Sequence, residues 1–286
     1  MTYIVFDIGG TKTRVGVTTD LKTLDKVESF KTPTAFADGM KKFLETVDRL
    51  AAQQPKAFAG GVRGLLNEQR DGIQNDGPLS KWVGKSIVSE IKKAYPVPVF
   101  LENDAAVAGL GEAMFGAGKG LEIIAYHTVS TGVGGVKIEN GEIDHASVGF
   151  EPGKQIIDVD RTVLGSEIEP TLENLVSGTA IEERFGMKPY EIPQSDVLWD
   201  ELAEYLAQGL RNTIVYWSPD AIILGGSMIT GDPKIEVDII RKYTVELVQS
   251  FEVAPLITVA KLGDEAGLYG GMAILKNRLE NKKPLK

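Results

Sequence analysis

Asp7-Ile8-Gly9-Gly10-Thr11-Lys12-Thr13-Arg14 puts a carboxylate, a glycine pair, hydroxyls and cations into one short run. Glycine tolerates positive φ and close approach, so a strand–glycine turn–strand brings backbone N–H groups against a phosphate. A carboxylate at the strand end beside such a cradle is where a magnesium ion, or its water shell, would be held. A tight hairpin with an aspartate in its turn is the plainer reading of the same residues. Further along, Leu101-Glu102-Asn103-Asp104-Ala105-Ala106 ends an apolar run in Asn-Asp and opens directly into a small-residue helix. Open α/β sheets put their ligands beyond such strand ends. Asp104 is therefore a candidate general base and Asn103 a hydrogen-bond partner for a polyol. The competing reading makes the pair an ordinary helix N-cap. Two look-alikes fail. Gly84-Lys85-Ser86 has the tail of a P-loop, but Leu79 stands where that loop needs glycine, so a helix start is expected there. The glycines after Phe115 form no G-x-G-x-x-G ahead of a helix, so a dinucleotide fold lacks its fingerprint.

The elements that must carry these residues alternate between strand and helix. Residues 3–6 read as a strand, 14–19 as its return and 27–30 as a third. Residues 36–53 have helical spacing, 57–62 form a strand ending in glycines, and 84–95 a helix stopped by Pro96. A buried strand over 97–101 and a helix over 105–115 complete an α/β layer. The glycine-rich stretch 116–120 separates this half from the next. A strand over 121–129 then runs into Ser130-Thr131-Gly132-Val133-Gly134-Gly135 and returns through 136–139. That is the opening passage again in outline, with Ile4 and Ile124 half a chain apart, and it reads as an internal duplication. Two unrelated glycine hairpins are the alternative. There follow an irregular section over 147–170, helices over 172–185 and 195–216, and a buried strand over 221–224 closed by Gly225-Gly226-Ser227. A helix over 235–250 and, after Gly270-Gly271, a last helix over 272–281 lead to a lysine-rich tail.

The 286 residues suffice for about two domains. A net charge of −9 lacks the electrostatic footprint of a nucleic-acid binder. Cysteine is absent, which excludes disulfides, a thiol nucleophile and every cysteine-ligated zinc or iron–sulfur site, and fits a cytoplasmic protein. No basic segment precedes the first apolar run, and no apolar run approaches the ~20 residues of a membrane helix. Neither a secretory leader nor a membrane partner is expected. Glycine is in excess: 32 of 286 residues, about 11 %, against an average near ~7 %.

Taken in order, Asp7-x-Gly-Gly-Thr-Lys, Glu102-Asn103-Asp104-Ala105, Thr131-Gly132-Val133-Gly134-Gly135, Leu172-Glu173 through Ser177-Gly178-Thr179-Ala180, and Leu224-Gly225-Gly226-Ser227 resemble the ROK family. That family (repressors, open reading frames and kinases) belongs to the sugar kinase/actin/heat-shock ATPase superfamily. The resemblance spans essentially the whole chain; each motif is weak alone, and all five in register are highly specific. It implies an α/β, two-domain actin-like ATPase (ribonuclease H-like) fold with an interdomain active-site cleft where ATP and a sugar meet. The first domain would span 1–115 with helix 272–286 packing back on it, and the second 116–271. By family likeness Asp7, Gly9, Gly10, Thr11 and Lys12 form one phosphate loop and Thr131, Gly132, Val133 and Gly134 the other, with Gly225 and Gly226 against the adenosine. Asp104 would take the proton of a sugar hydroxyl as it attacks the γ-phosphorus, while Mg²⁺, near Asp7 and through water, screens the phosphates.

On the sugar side the likeness assigns Asn103, Asp104, Glu151, Glu173 and Gly64, the last in Gly60-Gly61-Val62-Arg63-Gly64. Trp82 resembles a Trp near the sugar and is expected to pack rather than touch it. Lys154 stands where the family usually has a histidine that serves zinc and sugar, and the C-x-C-G-x-x-G-C zinc motif is missing. Histidine and cysteine ligands are lost together, which implies a zinc-free branch held by packing or charge pairs. Lys154 would then donate to sugar hydroxyls or pair with Glu151. His145 does not fill the vacated role in register, and both histidines are expected in loop or core. The implied activity is a glucokinase-like transfer to a hexose, at its 6-hydroxyl, by a homodimer. Fructose or an N-acetylated hexosamine as acceptor, or a non-catalytic sugar-binding relative, are the alternatives. A helix-turn-helix repressor is disfavoured because Asp7 is only the seventh residue. An actin-like filament ATPase is disfavoured by the Glu102-Asn103-Asp104 and Leu172-Glu173 sugar signals.

Overall fold

The β-rich run at the N-terminus forms β1 (Tyr3–Ile8), whose neighbours bury it on both faces. The structure is a computed structural model in which residues 1–75, 77–146, 149–249 and 254–280 are described. After β1 come β2 (Lys12–Thr18), β3 (Lys26–Lys31), α1 (Phe36–Leu50), β4 (Phe58–Val62), a small hairpin of β5 (Leu65–Leu66) and β6 (Ile73–Asn75), α2 (Ile87–Ala94), β7 (Val99–Asn103) and α3 (Asp104–Phe115). The second half runs β8 (Ile123–Val129), β9 (Val133–Glu139), β10 (Glu142–Ile143), α4 (Leu172–Val176), α5 (Gly178–Phe185) and α6 (Leu198–Trp217). It continues through β11 (Ala221–Gly225), α7 (Ser227–Thr230), α8 (Val237–Leu247) and β12 (Leu256–Val259), and α9 (Ala266–Glu280) closes the described chain.

The two large sheets have one topology. The first is ordered β3-β2-β1-β4-β7 and the second β10-β9-β8-β11-β12. In each, the first three strands pair antiparallel and the last three parallel. Ile4 lies opposite Phe58, the first residue of β4, and Ile124 opposite Ala221, the first of β11. The duplication expected from the spacing of Ile4 and Ile124 is thus present to the register of single residues.

The chain divides into two compact units, residues 1–115 with the segment from Asp264 onward, and residues 116–263. In the first unit, Ile4, Phe6 and Ile8 pack with Met40, Phe43, Val47, Ile87 and Ile91 on one sheet face. Val5 and Ala59 pack with Leu268, Met272 and Leu275 of α9 on the other. Asp7 follows Val5 in the strand's two-residue alternation, so it emerges on the α9 face. The second unit has one core around Ala125, Leu172, Leu202, Leu206, Ile222, Leu224 and Ile240.

Several boundaries differ from the sequence reading, each for a local reason. The helix expected over 84–95 starts at Ile87, because the Ser86 hydroxyl accepts the Ser89 N–H and caps it. The helix expected over 36–53 stops at Leu50, since Ala51 is already extended. The single helix expected over 172–185 is two, broken at Ser177, whose extended backbone lets its hydroxyl cap Ala180. The last helix begins at Ala266, not residue 272, and brings 264–271 into the first unit rather than the second. Gly270-Gly271 looked like a break; instead a Cβ on Gly270 would lie 1.8 Å from the Val107 oxygen, so the pair is where α9 presses on α3 and β4. Strands β5, β6, β10 and β12 were not foreseen. Ser147, Val148, Ser250, Asn281 and the lysine-rich tail, on which parts of the reading fall, lie outside the described residues.

Candidate active site

In the first unit the parallel strands β1, β4 and β7 end together. Register puts Asp7 opposite Gly61 and Gly61 opposite Glu102, then Ile8, Val62 and Asn103 in the next row. Asp7 and the start of α3 at Asp104 are therefore separated by two strand spacings, roughly 10 Å. The Gly9-Gly10 turn is closed by the Gly9 N–H on the Lys12 carbonyl (3.0 Å), and the Thr32 hydroxyl donates to the Gly9 carbonyl (2.8 Å).

Charge is concentrated at this edge. Arg14 donates to Asp7 (3.3 Å) and to Asp264 (2.5 Å), and Lys12 lies 3.6 Å from Asp264. Burial and then the nearby Asp104 charge push the Asp7 carboxyl up to about 7, outweighing the opposing pull of Arg14. The hydrogen bond from Arg14 holds Asp264 below the usual carboxylate range despite some burial. Asp264 escaped the sequence reading. Its signal was an acidic residue just ahead of Gly267, Gly270 and Gly271, the side of α9 that packs tightly inward.

Asn103 does the work of a cap: its Oδ1 accepts the Ala106 N–H (3.1 Å), and its Nδ2 donates to the Gly64 carbonyl (3.2 Å). The amide thus ties α3 to the glycine loop that the family resemblance gave to the sugar. Asp104 is half-buried, and its Oδ1 accepts the Ala105 N–H (2.9 Å). Glu102 pairs with Arg70 from the β5–β6 hairpin, a partner no sequence signal announced. Trp82 packs, as expected: it is buried, edge-on to Phe36, and donates to the Pro33 carbonyl (3.1 Å).

In the second unit, β8 and β11 also end side by side, with Thr128 opposite Gly225. Gly226 has φ +88°, and a Cβ there would lie 2.3 Å from the Val129 oxygen, so only glycine lets the second turn lie on the first. The loop 130–134 is anchored by the Gly178 N–H on the Ser130 carbonyl (2.7 Å) and by Ser130 and Ser227 hydroxyls 3.3 Å apart. The Val133 N–H donates to Glu173 Oε2 (2.8 Å), which removes it from the donors a phosphate would meet.

Lys154, read from sequence as a partner of sugar hydroxyls or of Glu151, donates to Glu173 Oε1 (2.7 Å) rather than to Glu151. Glu151 is exposed and acts on Lys154 through its charge. Nearby, Asp158 is buried in a turn. Burial raises its carboxyl, but N–H donors from Leu164, Val163 and Thr162 prevail and hold it below the usual range. Of the histidines, His127 is core, buried against Thr213 and Trp217, and His145 is exposed.

Two α/β units of identical sheet order, each with a glycine turn after its first strand, define the fold of the actin-like ATPases. Within that class the chain belongs to the ROK family, whose model matches residues 3–278. It is similar to a ROK hexokinase from Thermus thermophilus, with TM-score 0.83 and 29 % identity over 99 % of both chains. It is 28 % identical to a fructokinase from Lactococcus lactis subsp. cremoris over 87 % of this chain and 86 % of the relative. With a glucokinase from Thermotoga maritima it shares 25 % over 96 % of each.

Proposed function

We propose that the protein is an ATP-dependent sugar kinase that transfers the γ-phosphoryl group to a hexose hydroxyl, the 6-hydroxyl in the first instance. The observation that carries it is the pair of carboxylates, Asp7 and Asp104, at the ends of β1 and β7 on either side of β4 and beside a glycine turn, with Asp7 raised by burial and by the Asp104 charge. Phosphoryl transfer asks a protein for positioning, charge neutralisation and one base for the attacking hydroxyl. In this reading Asp104 is the base. Asn103 and Gly64 hold the start of its helix, and Glu151 completes the sugar side. In the first unit Gly9, Gly10, Thr11 and Lys12 are the nucleotide-phosphate loop, and in the second unit Thr131, Gly132 and Gly134, with Gly225 and Gly226, are the corresponding nucleotide loop.

Among the described residues no cluster of three or more histidine, cysteine or carboxylate side chains would cage a metal. Magnesium that arrives with a nucleotide needs no cage, because one or two carboxylates, phosphate oxygens and water satisfy it. Asp7 suits that task, since burial and Asp104 make its bare carboxylate costly and a cation would relieve it. When bound, the ion neutralises phosphate charge. The reading is zinc-free: the chain has no cysteine, and Lys154–Glu173 and the Asp158 turn hold the segment a zinc would organise. Metal analysis is expected to find no stoichiometric zinc, and a tightly bound zinc would contradict this part.

A cytoplasmic homodimer is the state the family resemblance supports; no helix among the described residues is long and apolar enough to cross a membrane. Relatives named fructokinase and glucokinase support the hexose class without fixing its member. ADP release against glucose, mannose, fructose and N-acetylated hexosamines tests the reading. One hexose or hexosamine should stand clear of the rest, and silence across the panel would favour a sugar-binding relative without turnover.

A further inference from the structure

Glu173 is fully committed inside the second unit. One oxygen accepts the Val133 N–H at 2.8 Å and the other accepts Lys154 Nζ at 2.7 Å. The carboxylate lies on the loop itself: a Cβ on Gly132 would be 2.8 Å from Glu173 Oε2. The turn that carries Lys154, Pro152–Lys154, presses on the same loop, since a Cβ on Gly153 would lie 2.4 Å from the Val133 oxygen. A half-buried carboxylate beside a loop meant for phosphates presents a problem of its own. Uncompensated, it would repel the polyanion the loop receives. Lys154 supplies the missing positive charge while its side chain stays more than half exposed.

We propose that Lys154 is a positioning residue for the nucleotide: it neutralises Glu173 and locks that carboxylate onto the Val133 N–H, which fixes the shape of the loop 130–134. This assignment moves Lys154 from the sugar side to the phosphate side and rests on the kinase reading above. A residue that only binds sugar would change the KM for sugar and leave nucleotide affinity in the sugar-free enzyme alone.

The test is the Kd for Mg·ADP measured by calorimetry on the full chain without sugar, for wild type, Lys154→Met, Lys154→Arg and the double variant Lys154→Met/Glu173→Gln. Lys154→Met leaves a bare carboxylate on the loop and should weaken Mg·ADP about ten-fold, the scale of one charge-assisted hydrogen bond. Lys154→Arg should stay within about two-fold of wild type. The double variant should recover most of the lost affinity, because a neutral amide still accepts the Val133 N–H and no longer repels phosphate. A general folding defect would lower melting temperatures and would not be rescued by the second substitution. Wild-type Mg·ADP affinity in Lys154→Met, with only the sugar KM raised, would overturn the proposal and leave the kinase reading standing. Failure of wild type itself to bind Mg·ADP would overturn both.

Discussion

Replacing Asp7 by Asn should stabilise the ligand-free protein at neutral pH, although Asp7 is proposed to serve the reaction. The Asp7 carboxyl is raised from 3.8 to about 7, first by burial and then by Asp104, with Arg14 opposing. The folded protein therefore holds a proton that the unfolded chain releases. Stability contributed by that proton is present at low pH and is lost as pH rises from about 4 to about 7. At ~1.4 kcal/mol per pKa unit, a shift of about three units corresponds to ~4 kcal/mol. The Asp7 side chain keeps 17 % of its exposure, so solvent screening reduces the expected cost to ~2–3 kcal/mol. Asn has nearly the same shape and no charge, and Arg14 retains Asp264. Urea unfolding in magnesium- and nucleotide-free buffer measures the effect. Asp7→Asn should exceed wild type by ~2–3 kcal/mol at pH 8, and the gap should close as pH falls to about 4. A variant less stable than wild type at pH 8, or a gap independent of pH, would refute the reasoning. Mg·ADP should stabilise wild type more than the variant, because the cation offsets the charge that Asn lacks.

Asp158→Ala removes the acceptor for the N–H groups of Thr162, Val163 and Leu164 (3.0, 3.1 and 2.7 Å). Leaving those donors without a partner should cost ~2–3 kcal/mol in unfolding experiments, and a cost below ~0.5 kcal/mol would contradict the role given to that turn. Burial holds His127 down to about 4, against 6.5 unfolded. Its folded pKa is depressed, so the stability it contributes is lost as pH falls from about 6.5 to about 4, by up to ~3 kcal/mol. His127→Gln should unfold with a shallower acid slope than wild type over that range, and an equal slope would remove His127 as the cause.

Local chemistry was legible in the sequence where it is short-ranged. The β1–glycine turn–β2 passage and its copy at β8–β9 could be read because strand, turn and return lie within about twenty residues. Asn103 was visible as a cap for the same reason, since Ala106 is three residues away. What escaped depends on tertiary neighbours. Lys154 finds Glu173 rather than Glu151 because Thr171 caps α4 and the Pro152–Lys154 turn packs on β9, and neither packing is encoded by spacing. Gly270-Gly271 reads equally as a helix break or as a site of close helix packing, and only α3 decides between them. Asp264 joins Arg14 and Lys12 across about 250 residues of chain, a pairing no local pattern announces. The glycine excess noticed first has the same double origin, with turns such as Gly226 and packing sites such as Gly270 both contributing.

The central claim, that this chain is a sugar kinase with Asp104 as its base, is tested most directly by Asp104→Asn. With the best acceptor from the sugar panel, the variant should bind Mg·ADP as wild type does and lower kcat by ~10²–10⁴, the usual range for a general base. Near-wild-type turnover in Asp104→Asn would contradict the account.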